Sequence, residues 1–356
     1  MAILHYRDYD YMPVVHFGYW SELLDKWKAE GRFKDGDNVS RMLGFDYEWG
    51  ASFGCNDFLM PGFEWKKIKD NPDGSYIQQN GNGLIELVKP GVESIPATID
   101  TLLKDDEAWE TLYRHRLQPS PDRIDLKRAQ DLALRQDSIT NHPFGIQLGS
   151  LYGHARDICG VEGISYLAAD YEDTYIALLD ALADIVYDNA KRMLGAGLRP
   201  DFGHFWEDIC FKNGPLVNPK VFREAVGPHY KRISELLLEY GCDIISLDCD
   251  GCIDELVPIW LENGVNTMFP IEVGTWGANI APWREKYGRS LRGVGGMDKR
   301  VFAYDYAAVD AEIERLKPLV ALGGYIPCPD HRLPPDAKWE NVQYYTERFR
   351  KEFAVR

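Results

Sequence analysis

Asp243-Ile-Ile-Ser-Leu247, followed at once by Asp248-Cys-Asp-Gly-Cys252, is the stretch on which the fold turns. A short apolar run that ends abruptly in acids and glycine reads as a buried strand delivering a polar loop. The pattern recurs in Phe144-Gly-Ile-Gln-Leu148, Asp201-Phe-Gly-His-Phe205, Asn266-Thr-Met-Phe269, Leu291-Arg-Gly-Val294 and Gly324-Tyr-Ile326. Helical stretches fall between. Over 172–194, Ile176, Leu179, Leu182, Ala183, Val186, Ala190 and Met193 share one face, and Gly195 stops the pattern. Over 219–240, Asn218 is the N-cap, Pro219 opens the helix, Gly241 ends it and Pro228 predicts a kink. Further helices are expected at 253–262, 280–287, 306–320 and 338–353.

Alternating strands and helices require parallel strands joined by right-handed crossovers. Six such units after residue 143 favour a closed (β/α)8 TIM barrel. The alternative is an open sheet, against which no Gly-x-Gly-x-x-Gly follows an early strand. Gly293-Val-Gly-Gly296 has the wrong spacing and reads as a tight strand-to-helix turn or a close approach to a ligand. The whole chain, 1–356, then forms one barrel domain. Residues 1–142 carry the first two strands and an N-terminal excursion with pocket-lining insertions. Within it, Phe63-Glu-Trp-Lys-Lys-Ile68, Ser75-Tyr-Ile-Gln-Gln79 and Gly83-Leu-Ile-Glu-Leu-Val88 alternate across Asn-Gly and Asp-Gly turns, the signature of a small β-meander. Helical patches are expected near 19–30 and 97–136.

Composition narrows the function. The chain has 356 residues and a formal charge of −16, which argues against a nucleic-acid partner. No apolar run reaches about 18 residues and the start has no signal-peptide pattern, so no membrane span is expected. Seven scattered cysteines read as reduced thiols of a cytoplasmic protein. An aromatic content of 13% suggests a ring-lined pocket or interface.

In a barrel the chemistry gathers at the C-terminal strand ends. Those ends carry Glu207 and Asp208, Asp248 and Asp250, Glu272, Asp298, and Cys328 with Asp330 and His331. Each acid has a bland reading as a helix cap, with Asp298 before Lys299-Arg300 the clearest case and Thr275 and Asn279 better cap candidates than Glu272. Several converging on one mouth would need a shared proton, cation or metal. Asp248, Cys249, Cys328 and His331 are candidate metal ligands, since a catalytic zinc needs about three such donors. Cys249-x-x-Cys252 could also be half of a structural zinc site or, less well placed, a redox pair. A metal-free Asp/His acid–base pair fits as well. Among the histidines, His331 leads, ahead of His16, His204 and His229.

The runs Trp206-Glu-Asp-Ile-Cys-Phe-Lys-Asn-Gly-Pro-Leu216, Asp248-Cys-Asp-Gly251, Gly295-Gly-Met-Asp298 and Gly323-Gly-Tyr-Ile-Pro-Cys-Pro-Asp-His331 resemble the uroporphyrinogen decarboxylase superfamily. With Pro13-Val-Val-His-Phe-Gly-Tyr-Trp20, they look most like its corrinoid-dependent methyltransferase branch. The resemblance implies a (β/α)8 barrel that moves a methyl group between a small substrate and a corrinoid held by a partner protein, in some members with zinc. The decarboxylases' Met-Arg-Gln-Ala-Gly-Arg stretch is replaced here by Phe17-Gly-Tyr-Trp20, without its arginines. Asp248-x-Asp250 stands where zinc-binding members have His-x-Cys. The expected function is therefore O-demethylation of a small methoxylated compound, the aromatic excess suiting a methoxylated aromatic. Glu207, Asp250 and His331 would be catalytic, and Trp206, Asp208, Met297 and Tyr325 would contact substrate. A decarboxylase on another carboxylated substrate, and a non-catalytic corrinoid- or tetrapyrrole-binding protein, are the alternatives. The resemblance also implies a homodimer, a state common in this superfamily.

Overall fold

The computed structural model describes residues 1–90, 96–138 and 142–354. Two short strands, β1 (Val15–His16) and β2 (Tyr47–Glu48), open the chain and pair in parallel. An antiparallel four-stranded meander follows: β3 (Lys66–Asp70), β4 (Tyr76–Gln79), β5 (Leu84–Val88) and β6 (Ala97–Thr101). The last of these replaces the start of the helix expected at 97–136. It pairs with β5, and four of its five residues are exposed, so neither periodicity shows in it. The meander packs on helix Tyr152–Asp170, where the Thr101 hydroxyl donates to the Ile158 carbonyl at 2.8 Å beside a break at Gly160.

The remaining strands are β7 (Gly145–Gln147), β8 (Phe202–Trp206), the hairpin β9 (Cys210–Phe211) and β10 (Gly214–Pro215), β11 (Ile245–Asp248), β12 (Thr267–Phe269), β13 (Arg292–Met297) and β14 (Tyr325–Pro329). Six of them form one parallel sheet in the order β14-β13-β12-β11-β8-β7. The sequence leads one to expect a closed ring of eight; the continuous ladder has six. On its two sides lie single parallel bridges, Tyr19 to Leu333 beyond β14 and Phe53 to Ile146 beside β7.

The helices fall largely where periodicity places them. Helix Glu172–Gly195 buries Leu179, Leu182, Ala183, Val186, Ala190 and Met193, while Ile176 at its start is exposed. The expected helix 219–240 is two, Pro219–Ala225 and Gly227–Glu239. Pro228 lies in the first turn of the second, where its missing N–H costs nothing, so it starts a helix and does not kink one. Gly295 and Gly296 lie inside β13 and not in a turn. A Cβ at Gly295 would fall 1.4 Å from the Pro270 carbonyl oxygen, at a φ of 124°. Only glycine allows that approach.

Strand residues of one parity share a face. On β8 and β11 the inward set includes Phe202, His204 and Ser246, which meet Trp49 and Phe269 in a ring-filled interior. Trp49 Nε1 donates to Ser246 Oγ at 3.3 Å. Burial pushes the His204 imidazole down to about 4. An unfolded histidine titrates near 6.5, so between these values the unfolded chain binds the extra proton. Stability should be full above pH 6.5 and fall as the pH drops toward 4, by about 3 kcal/mol from His204. Denaturant unfolding at pH 7, 5.5 and 4.5 reads this, and a flat dependence would show the imidazole reaching solvent.

Candidate active site

Each strand of the main sheet releases its chain on the C-terminal side, and the acids follow the same parity that fills the interior. Asp248 ends β11 on the inward face and is buried. Burial, then the charges of Asp250 and Asp208, holds its carboxyl well above the usual range against the pull of Arg332. Asp208 takes a left-handed backbone (φ 54°) as the chain leaves β8. Its carbonyl is gripped by the Arg156 guanidinium, and burial followed by Asp250 raises its carboxyl. Glu272, after β12, is raised by burial and then by Asp250; it accepts from the Gly251 N–H at 2.6 Å and the Thr275 hydroxyl at 2.8 Å. Three carboxyls around one position are thus biased to hold protons.

That position is Asp250. Its Oδ2 stands 3.2 Å from His331 Nε2. Its Oδ1 is buried with no hydrogen-bond partner in the protein. The His331 ring is stacked on Trp20 (centroids 5.7 Å apart) and meets the edge of Phe17 (5.4 Å), which in turn packs on Phe269. Asp250 and His331, 81 positions apart in sequence, therefore build one acid–imidazole pair at the mouth of the interior, walled by rings from the N-terminal segment.

Other expected residues go elsewhere. Glu207 is fully buried and has the opposite parity to Trp206 and Asp208. Its carboxylate enters the N-terminus of helix Tyr152–Asp170, accepting from the N–H groups of Leu151 (2.9 Å), Tyr152 (3.1 Å) and Gly153 (2.8 Å), the Ser150 hydroxyl (2.9 Å) and the Tyr230 hydroxyl. A helix start presents unpaired N–H groups and favours an anion, so Glu207 anchors the strand and is sealed from any substrate. Met297 and Tyr325 have no exposed surface, and the Tyr325 hydroxyl donates to the Gly295 carbonyl at 2.7 Å; neither reaches a substrate. Trp206 and Asp208 are half-buried at the mouth. Asp298 is a cap, accepting from the Arg300 N–H at 3.0 Å, and Asn279 caps helix Ile280–Tyr287.

The zinc set does not assemble. Cys249 has the opposite parity to Asp248 and Asp250, and its Sγ accepts from the Ile209 N–H at 3.4 Å. Burial first holds the Cys249 and Cys328 thiols well above their ordinary range. Among the described residues no group of three His, Cys, Asp or Glu side chains is placed to hold a metal. Asp248, Cys249, Cys328 and His331 are therefore not a ligand set in this arrangement.

Sequence reading passed over a second acid–imidazole group near the same mouth. His154, in the first turn after β7, lies between Asp57 (Nε2 to Oδ1 3.4 Å) and Asp157 (Nδ1 to Oδ2 3.9 Å) and stacks on Phe58 at 4.3 Å. These are ion-pair distances, and neither buried ring nitrogen makes a hydrogen bond. Burial would lower the imidazole, but Asp157 and Asp57 outweigh it and lift it to about 9. Gly149 (φ 62°) makes room: a Cβ there would lie 2.3 Å from Asp57 Oδ2. A signal was available for His154, which lies in the segment that follows the strand-like run of β7.

No family model matches the chain, and no curated protein matches it. Solved structures do. A methyltransferase from Methanosarcina mazei superposes with a TM-score of 0.62 at 14% identity, over 99% of this chain and 97% of that one. A B12-independent methionine synthase from Shewanella sp. W3-18-1 gives a TM-score of 0.48 at 12% identity, over 96% and 98% of the two chains. The first likeness is one of fold along the whole chain.

Proposed function

We propose that the chain is a methyl-transfer enzyme that takes the methyl group of a small methoxylated or methylated compound and passes it to a corrinoid protein docked at the mouth. In this reading the eight parallel strands form one barrel, with the bridges at Tyr19–Leu333 and Phe53–Ile146 as its seams. The observation that carries the proposal is the Asp250–His331 pair, with one carboxylate oxygen free and aromatic rings about the imidazole. The fold shared with the Methanosarcina methyltransferase and the family resemblance of the strand-end motifs support it.

The chemistry of demethylation asks for what these residues offer. A methyl ether is cleaved when its carbon is taken by a strong nucleophile and its oxygen keeps the bonding electrons. That oxygen is a poor leaving group unless a proton reaches it as the bond breaks. A reduced corrinoid held by the docked partner would supply that nucleophile. Asp250 and His331, 3.2 Å apart, are placed to pass a proton to the departing oxygen. Asp208, Asp248 and Glu272, biased toward their neutral forms, keep the site supplied with protons and free of strong like-charge repulsion. Phe17 and Trp20 give a methoxyarene its stacking surface. Zinc has no place in this scheme, because its candidate ligands do not converge.

The test mixes purified protein and reduced cob(I)alamin with a panel of methoxylated aromatics and methylated small molecules. The cobalamin spectrum should change only with substrate and active protein. No change across the panel would overturn this reading, and carbon dioxide release that ignores cobalamin would replace it with the decarboxylase one.

The acids also set a charge preference. Where Asp208, Asp248 and Glu272 are ionised, an uncharged methoxyarene should exceed the matching methoxybenzoate in kcat/KM by about tenfold, because a carboxylate entering among them then meets like charge. The ratio should widen as the pH rises and the protonated acids ionise. A benzoate preferred at every pH would mean that Arg332 or His331 binds the substrate's anion.

A further inference from the structure

Asp330 immediately precedes His331, yet the two side chains part at once. His331 turns to Asp250 at the mouth, while Asp330 is fully buried. A buried carboxylate needs donors. Asp330 finds them beyond two neighbouring strands, and each of its oxygens serves a different one. Oδ2 accepts from the Gly274 N–H at 2.6 Å, just after β12. Oδ1 accepts from the Lys299 ammonium at 3.2 Å and the Lys299 N–H at 3.3 Å, just after β13. The Lys299 side chain is 14% exposed, and Asp330 is its only ion-pair partner among the described residues. The Asp330 N–H in turn donates to the Met297 carbonyl at 2.8 Å. One side chain thus ties together the segments that leave β12, β13 and β14.

Both ends of this tie lead to Asp250. Gly274 lies two residues after Glu272, whose carboxylate accepts from the N–H of Gly251, the residue after Asp250. Glu272 also lies in the field of His331. His331 follows Asp330 directly and stands 3.2 Å from Asp250. The path from Asp250 through Gly251, Glu272, Gly274, Asp330 and His331 returns to Asp250 as a closed ring of short chain steps and polar contacts. Neither loop can shift without stretching that ring, so the ring sets the reach between the carboxyl and the imidazole.

We infer that Asp330, with Lys299 as its counter-ion, is the positioning residue of the Asp250–His331 pair. Being buried, it touches no substrate. Its part in turnover rests on the methyl-transfer reading, but the geometry it imposes does not.

The eight histidines make the ring of His331 readable by proton–carbon NMR, with His331→Asn assigning its signal. In the unaltered protein that signal should move on Asp250→Asn. The variant Lys299→Met/Asp330→Asn removes both buried charges together, so neither is left unpaired. An amide has one acceptor oxygen where the carboxylate uses two, so one of the two ties must break. In this background the His331 response to Asp250→Asn should fall by about half or more, and kcat for demethylation by about 10- to 100-fold with KM nearly unchanged. A merely structural ion pair would lower the unfolding midpoint and leave the His331 response whole. A second readout needs no variant. The charge-assisted bond to Asp330 should slow hydrogen exchange of the Gly274 amide about tenfold or more relative to Thr275, the next residue of the same turn. A His331 signal that ignores Asp250→Asn in the unaltered protein, a full response kept in the folded double variant, or a Gly274 amide that exchanges as fast as that of Thr275 would each overturn the inference. A lost response in a protein that moves no methyl group to cobalamin would uphold the positioning and sink the proposed function instead.

Discussion

Asp250→Asn should lower kcat for demethylation by about 10²- to 10⁴-fold and leave the unfolding midpoint near that of the unaltered protein. The size follows from the role. Asparagine keeps the shape of the side chain beside His331, but it can neither give nor take a proton. The stability expectation follows from placement, since the Asp250 side chain is 35% exposed and one of its oxygens is bonded to nothing in the protein. His331→Asn should cost a similar factor, and the double variant little more than either alone, because two groups that act as one unit are not additive. Single-turnover rates with cob(I)alamin and an active methoxyarene separate this step from binding. If both variants keep near-normal rates, the pair is an ordinary ion pair at a loop junction and proton delivery falls to Asp208 or Glu272.

The same comparison shows what the sequence could and could not reveal. Strands after residue 143 were legible because a parallel strand buried on both faces is a nearly unbroken apolar run. Helix Glu172–Gly195 was legible because its buried stripe repeats at helical spacing. Helix Tyr152–Asp170 was not: it carries three glycines, and packing against the meander and helix Glu172–Gly195 buries it on several sides. The convergence of acids at the strand ends was legible too. Their individual roles were not, because role depends on parity. Glu207 and Asp208 are neighbours in a polar loop, yet one enters a helix terminus and the other faces Asp250. A one-residue step reverses the face of an extended chain, and where a strand stops is known only once its partner's register is known.

Glu207→Ala should therefore be a folding defect before it is a catalytic one. Five donors converge on this carboxylate: the N–H groups of Leu151, Tyr152 and Gly153, and the hydroxyls of Ser150 and Tyr230. The site has no exposed surface, so water cannot replace the lost oxygens without opening the packing. Removing one side of a buried, charge-assisted network costs about 3–5 kcal/mol. Glu207→Gln should cost less, about 1–3 kcal/mol, since one oxygen still accepts while the amide turns its own N–H groups toward donors. Tyr230→Phe should cost less again, about 1–2 kcal/mol, as only one donor is withdrawn and the ring stays packed on Phe205 and Phe222. Urea unfolding of the three variants gives the order directly. In the folded fraction of Glu207→Gln, activity should survive in proportion to the protein that remains native, because Asp208 and Asp250 are intact. Full stability with lost turnover would reverse the assignment and return Glu207 to the reaction itself.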